Sequence, residues 1–418
     1  MKISIYNNKM ILYVFMIFFT ILLQSFNSNF RVITYTLLVF LLLICIVINK
    51  KILSDFVNRY SLIVVWLAWI ITLTCLMELF KYGTLMAGAI IQPVFIVGTV
   101  YISYFFAYKY DNKDCERIIF LFYLIILFAA IMGLIEFFIK KNIFFPNYGN
   151  PWEEYRVSSL FKHPIMYAAM VMIGVYYSLF FLKNSIVKYF SLIVFLIAIY
   201  SSKSRSLWIS LIFGVIILVL ASLSHKIKKN TIVKLFIIIV LSFVFLISPV
   251  GSQMVDGIIN RFTNMSDTIS STQRLGTVSY FIDLLYNEGN IFTLLFGHGE
   301  DAASMVMLNT TLYIENFSTT DNQYILFLYN YGIIFLIFIL FFIIKACIYL
   351  IANYHSIDRI ERFILITIVT ESIGAYFYEL TEVKSVCFLI FVLIGFELSV
   401  LSKKNFVNKL NRVGGRNG

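Results

Sequence analysis

Charge is what this sequence has least of. Only 13% of its 418 residues are Asp, Glu, Lys or Arg, whereas a soluble domain carries about 25%. That excludes a soluble globular enzyme and a disordered tail. Cysteine is sparse as well. Cys45, Cys75, Cys347 and Cys387 lie in or beside apolar runs, and Cys115 sits in a short basic segment. None has metal-site spacing, so the five read as small membrane-packing residues and a disulfide scaffold is excluded. A Gly-rich phosphate loop, a dinucleotide fingerprint and an Asp-x-Asp pair are also missing. Nucleotide binding therefore has no visible seat, a nucleotide-sugar transferase that needs a divalent ion is disfavoured, and neither cofactor nor metal is expected.

Apolar length is what the sequence has in abundance. Hydrophobic residues make up 61% and aromatics 18%. Runs near the roughly 20 residues that cross hydrocarbon recur from end to end. The first, Met10 to Phe26, follows Lys2 and Lys9 without a small-residue cleavage site and reads as a first span. Twelve spans are expected, near 10–26, 31–49, 60–79, 86–108 (interrupted by Gln92-Pro93), 117–139, 164–182, 188–202, 206–223, 233–250, 323–344, 362–380 and 385–402. The fold class is thus an all-α polytopic membrane protein of about 12 transmembrane helices. It divides into transmembrane helices one to nine over 1–250, one large extracytoplasmic loop over 251–322, helices ten to twelve over 323–402, and a basic cytoplasmic tail over 403–418.

Sidedness follows from the cations. With the N-terminus inside, the inner segments carry 22 of the 33 Lys and Arg but only six of the 22 Asp and Glu. Positive-inside orientation then places both termini in the cytoplasm. The net charge of +11 comes from these juxtamembrane clusters, so no nucleic-acid partner is expected. No internal repeat is visible, which weakens an inverted-repeat transporter.

The basic residues on the wrong side carry the information. Lys203 and Arg205, in Ser201-Ser202-Lys203-Ser204-Arg205-Ser206, stand at the outer junction of the seventh and eighth spans. They either snorkel at the interface or bind an anion beside the free N–H groups of a helix start. In the long loop, Gln273 to Glu288 places apolar Leu275, Val278, Phe281, Ile282 and Leu285 on one helical face, with Ser270-Ser271-Thr272 as candidate caps. That is an amphipathic helix, expected to lie on the membrane surface. Arg274 falls in its first turn, where a cation opposes the helix dipole. It is either an exposed surface residue or part of a site for something negative.

Two further features open outer helix ends. Ser318-Thr319-Thr320-Asp321-Asn322-Gln323-Tyr324 precedes the tenth span. Asp321 or Thr320 could cap that helix, or Asp321 could accept a proton from a sugar hydroxyl. Arg156 to Pro164 leads into the sixth span with Pro164 at a first helical position and His163 before it, which could simply hydrogen-bond at the interface. Gly297-His298-Gly299 reads as a tight turn in which His298 is structural or catalytic. Glu371, inside the eleventh span, is either satisfied by packing or part of a proton relay. The positive ends of these outer helix starts suit a pyrophosphate at the membrane–water boundary.

On these segments the chain resembles the O-antigen polymerase and ligase superfamily of bacterial surface-glycan assembly. The resemblance is best over 150–345. It rests on Phe161-Lys162-His163-Pro164, Ser204-Arg205 and Gln273-Arg274 before a helix, Phe296-Gly297-His298-Gly299, Asp321-Asn322-Gln323-Tyr324-Ile325, and Tyr331-Gly332-Ile333-Ile334. It implies a metal-independent glycosyltransferase of the bacterial cytoplasmic membrane that takes undecaprenyl-pyrophosphate-linked oligosaccharide. Membrane lipid, a chain-length regulator and a flippase are the further partners it implies. By the same resemblance Arg205 and Arg274 would bind the pyrophosphate. The candidate catalytic positions are Asp321, Arg274 and Arg205. The candidate substrate-binding positions are Arg156, His163, Lys203, His298, Asn322 and Tyr324. One departure matters: the ligase branch has His where Asp321 stands. The expectation is therefore a polymerase of lipid-linked repeat units, with a ligase as the alternative and a lipid-linked oligosaccharide flippase as the alternative of another class.

Overall fold

A computed structural model describes residues 14–23, 30–61, 72, 76, 79, 87–109, 112–146, 155–223, 269–310, 318–381 and 384–414. Among the described residues all regular structure is helical, with no strand. In chain order the helices are α1 (Val14–Leu23), α2 (Phe30–Ile48), α3 (Lys50–Arg59), α4 (Ala87–Lys109), α5 (Asn112–Ile139), α6 (Pro164–Phe181) and α7 (Ser185–Ser201). There follow α8 (Arg205–Leu223), α9 (Ile269–Glu288), α10 (Ile291–Phe296), α11 (Ala302–Asn309), α12 (Gln323–Asn353), α13 (Arg359–Gly374) and α14 (Lys384–Gly414).

Local chemistry sets many of the helix ends. His163 caps α6, its Nδ1 accepting from the Ile165 N–H, and Pro164 occupies the first turn, where a missing N–H costs nothing. Asn184 caps α7. Asp358 and Glu361 form a reciprocal capping box at α13, satisfying two donors the helix cannot satisfy itself.

Among the described residues, five helices are long and apolar enough to cross a membrane. They are Lys113–Ile139, Pro164–Phe181, Arg205–Leu223, Gln323–Asn353 and Lys384–Lys403. A sixth span results if the bent pair Val32–Ile48 and Lys50–Arg59, which turns through 99°, is one crossing. The chain is a helical membrane protein. Of the twelve expected spans, the ninth (233–250) and most of the third (60–79) lie outside the described residues. The fourth is one helix through Gln92-Pro93, not an interrupted one. The last helix runs on to Gly414, so 403–414 continues it and does not begin a separate tail.

α6 is the hub. It is buried at 14 positions from Pro164 to Ser178 and packs against α5, α7, α8, α13 and α14. Close approach needs small residues, because lipid supplies no hydrophobic drive between helices. A Cβ on Gly395 of α14 would stand 2.4 Å from the Val100 carbonyl oxygen of α4, so only glycine lets these two helices meet. α12 instead bares Ile337, Phe341, Ile344 and Ile348, an apolar face that suits hydrocarbon and not water.

α12 is broken at Gly332, whose φ of +81° and ψ of 172° are not helical. The break frees the Tyr329 and Asn330 carbonyls, and the loop occupies them. His298 N–H donates to Tyr329 O at 2.9 Å, and Gly299 N–H donates to Asn330 O at 3.0 Å. The Asn330 side chain accepts from Ala303 N–H at 2.9 Å. Glycine is required on both sides of this seam. A Cβ on Gly297 would lie 2.2 Å from Asn330 O, and one on Gly332 would lie 2.2 Å from Leu295 O.

The same docking gives the amphipathic helix a protein surface to pack on. α9 puts Phe281 (0% exposed), with Val278 and Leu285, into a small core with Ala302, Ala303, Met307, Ile325 and Tyr329. Its apolar face is spent mostly on protein, although Ile282 and Tyr286 remain exposed. The helix also begins earlier than the sequence suggests, at Ile269. Ser270, Ser271 and Thr272 are thus inside it, and Arg274 stands in its second turn. The dipole argument for Arg274 loses force accordingly, since that effect fades within the first turn.

Candidate functional site

Three separate stretches of chain meet at the end of the bundle where α6, α8 and α12 begin. The first is 155–163. Its backbone is pinned to the α7–α8 turn by Val157 N–H to Ser201 O at 3.2 Å, and Arg156 Nε–H donates to Ser202 O at 3.1 Å. Arg156 thereby stands beside Lys203, which occupies a left-handed position (φ +52°) in that turn. Arg205 is the first residue of α8 and is half-buried. The Ser202 hydroxyl accepts from Ser204 N–H at 3.2 Å, tightening the turn between the two cations.

The second stretch is α9, which delivers Arg274. Its Nε donates to Asp321 Oδ2 at 3.3 Å, with both side chains about a quarter exposed. The third is 318–324. Asn322, not Asp321 or Thr320, is the cap of α12: its Oδ1 accepts from the Tyr324 N–H at 3.0 Å and the Ile325 N–H at 3.2 Å. Asp321 sits one residue earlier in a left-handed conformation (φ +51°), turned to Arg274 and to the Thr319 hydroxyl at 3.3 Å. Tyr324 is anchored by its own hydroxyl, which donates to Ser372 O at 2.6 Å.

His163 joins the cluster electrostatically. Burial, and then the guanidiniums of Arg156 and Arg274, push its pKa down to about 3. Its Nδ1 is used as an acceptor at the helix cap, so the neutral ring carries its proton on Nε2 and can only donate there. Arg156, His163, Arg274 and Asp321 are therefore one neighbourhood: two fixed cations, one neutral donor and one carboxylate. Lys203 lies beside it through Arg156, and Asn322 and Tyr324 support it through the start of α12.

His298 belongs elsewhere. It is buried, with Nε2 at 2.6 Å from Glu288 Oε2 and Nδ1 at 3.1 Å from Tyr329 O. Its ring stacks on Tyr329 at 4.1 Å. Both nitrogens are engaged, one at Glu288 and one at the broken α12. Glu371 is fully buried and accepts from the Tyr378 hydroxyl at 2.7 Å. Among the described residues no cluster of His, Cys, Asp or Glu could hold a metal ion.

Backbone strain marks the same places. Six non-glycine residues among those described have positive φ: Lys140, Ser159, Lys162, Lys203, Asp301 and Asp321. Ser159, Lys162 and Asp321 lie in the stretches that carry the site, and Lys203 lies in the α7–α8 turn to which the first of them is pinned. Such positions cost energy and persist where the surroundings over-determine them, which is typical of functional sites.

Two carboxylates hold these stretches; the sequence offered Glu379 only as part of a proton or cation relay and did not single out Glu136. Glu136, 1% exposed near the end of α5, accepts from the backbone of Ser158 and Ser159. Glu379, 4% exposed after α13, accepts from the Thr320 N–H and, at 2.6 Å, from the Thr320 hydroxyl. The signal that could have found Glu136 is an acidic residue inside an otherwise apolar run. The chain matches no protein-family model and no curated protein.

Proposed function

We propose that this chain is a bacterial surface-polysaccharide polymerase, joining undecaprenyl-pyrophosphate-linked repeat units of an O-antigen or capsule at the outer face of the cytoplasmic membrane. The reading includes the twelve-span topology, the extracytoplasmic loop and both termini in the cytoplasm. One observation carries it. Arg156 and Arg274 both bear on His163, and Arg274 pairs with Asp321, where α6 and α12 begin, at the boundary where a lipid-borne anion would present its headgroup.

The chemistry follows from that set. In the resting protein Arg274 is partnered by Asp321. A pyrophosphate carries more charge and more acceptor oxygens than a carboxylate, so it competes well for the guanidinium. Exchange at Arg274 holds the donor and releases the Asp321 carboxylate. The acceptor sugar hydroxyl attacks the anomeric carbon of the donor, and its proton passes to Asp321. The bond from that carbon to the pyrophosphate oxygen breaks, and the carrier pyrophosphate leaves with the electron pair. Arg156, Arg274 and the Nε2–H of His163 stabilise the charge as it develops. Arg205 and Lys203 add cationic charge from the α8 start.

The test is a glycan gel from a deletion strain, with the carrier-linked pool analysed beside it. A polymerase predicts loss of the ladder, with single repeat units on the carrier or at the surface. Full-length polymer stranded on the carrier would replace this reading with a ligase. Single units trapped on the inner leaflet would replace it with a flippase.

A further inference from the structure

Glu136 is a carboxylate placed where carboxylates are expensive, at the last turn of an apolar helix and almost wholly buried. What it binds is a single short stretch of chain. Its Oε1 accepts from the Tyr155 hydroxyl at 2.9 Å and the Ser158 N–H at 3.0 Å, and its Oε2 accepts from the Ser159 N–H at 2.8 Å. Three donors within five residues converge on one side chain. That stretch contains Arg156 and leads directly into His163.

The conformation being held is not one the chain adopts unaided. Ser159 (φ +48°) and Lys162 (φ +63°) are both left-handed, the first opening and the second capping a short 3-10 turn, Ser159–Phe161. Asn142 braces the same point, its Nδ2 donating to the Ser158 hydroxyl at 2.8 Å and to Ser159 O at 3.2 Å. The Ser159 hydroxyl donates to Ala129 O of α5 at 2.8 Å. The stretch is thus clamped between α5 and the α7–α8 turn, and Glu136 accepts with both its oxygens in that clamp. A carboxylate suits this place because both its oxygens accept, whereas an amide would set an NH2 against the Ser159 N–H.

We infer that Glu136 is a positioning residue for anion binding: by holding 155–159 it fixes Arg156 against Arg274. The inference rests on the proposed reading of the site as one for undecaprenyl pyrophosphate. It predicts that Glu136 acts on pyrophosphate affinity through Arg156, although no atom of Glu136 touches the ligand.

The experiment is a binding titration of undecaprenyl pyrophosphate to the purified full chain in detergent, for wild type, Glu136→Gln, Arg156→Ala and the double variant. Glu136→Gln weakens binding about tenfold. The double variant binds no more weakly than Arg156→Ala, because groups acting as one unit do not add. A general loss of fold would instead add to the effect of Arg156→Ala, so additive losses overturn the inference. Tyr155→Phe, which removes one donor and leaves the carboxylate, weakens binding about two- to threefold and provides the same cycle with Arg156→Ala if Glu136→Gln does not fold. Affinity unchanged in both Glu136→Gln and Tyr155→Phe also overturns it. A wild-type protein that takes up no undecaprenyl pyrophosphate sinks the reading of the site itself, which is a different result from wild-type binding with additive losses.

Discussion

Asp321→Asn separates the two duties assigned to Asp321. The substitution removes the carboxylate charge 3.3 Å from Arg274 Nε and keeps the side-chain shape. It also spares the backbone, since Asn tolerates the left-handed conformation at φ +51° about as well as Asp does. At 3.3 Å and an effective dielectric of about 20, the Coulomb attraction between full charges is about 5 kcal/mol. That is a ceiling, because both side chains are about a quarter exposed and partly exposed pairs are worth about 1 kcal/mol or less. Freeing Arg274 from this competitor should therefore tighten undecaprenyl pyrophosphate binding by about fivefold, the equivalent of about 1 kcal/mol. Transfer should move the other way. Loss of a general base costs about 10²- to 10⁴-fold in rate. Equilibrium binding of the carrier pyrophosphate and single-turnover polymer extension, measured on the same preparation, read both numbers. Weaker binding in Asp321→Asn would refute the exchange at Arg274. Extension at the wild-type rate would remove Asp321 as the base.

Arg205→Ala and Arg274→Ala should each abolish polymer while the protein remains inserted in the membrane; a normal ladder in either strain takes that residue out of the site. His163 has a folded-state pKa near 3 against about 6.5 when unfolded, so the unfolded chain binds a proton first as pH falls. Stability should therefore drop on acidification below about pH 6.5, and His163→Asn, which can still cap α6, should show a smaller fall in melting temperature between pH 7.5 and 5. Gly332→Ala places a Cβ 2.2 Å from a backbone oxygen at φ +81° and should cost about 1–3 kcal/mol. Gly289→Ala, also at positive φ but with open space around it, should cost less, and equal melting temperatures for the two would refute the seam. A cysteine at Tyr286, which is 84% exposed, should react with an impermeant label in intact cells; labelling only after permeabilisation would invert the topology.

Much of this was legible in the sequence because it depends on local pattern. Apolar runs placed α5, α6, α8 and the start of α14 to within a few residues, and Pro164 with His163 marked the start of α6. The dyad Gly297-His298-Gly299 and Tyr331-Gly332 was visible as two motifs, yet nothing in spacing says that one loop seats its N–H groups on the carbonyls freed by the other. Arg274 and Asp321 are 47 positions apart, and their pairing depends on that docking. The cap of α12 was misassigned for a related reason. Thr320, Asp321 and Asn322 are all good caps by type, and the choice fell to Asn322 because Glu379 holds Thr320 from a distant loop.

The broken helix α12 ties these observations together. Its first residues follow Asp321 and its cap, and two turns further on, the break at Gly332 exposes the carbonyls that receive the loop. The loop in turn positions α9: Tyr329 of α12 is held between the rings of His298 at 4.1 Å and Phe281 at 4.8 Å. Phe281 lies seven residues after Arg274, two turns along the same helix, so seating Phe281 on Tyr329 brings Arg274 alongside the start of α12. An unbroken α12 would satisfy its own carbonyls and give the His298 turn nothing to bind. α9 would then lose its register, and Arg274 would no longer be delivered to Asp321. The glycine at 332 is in this sense a site residue that never approaches the site.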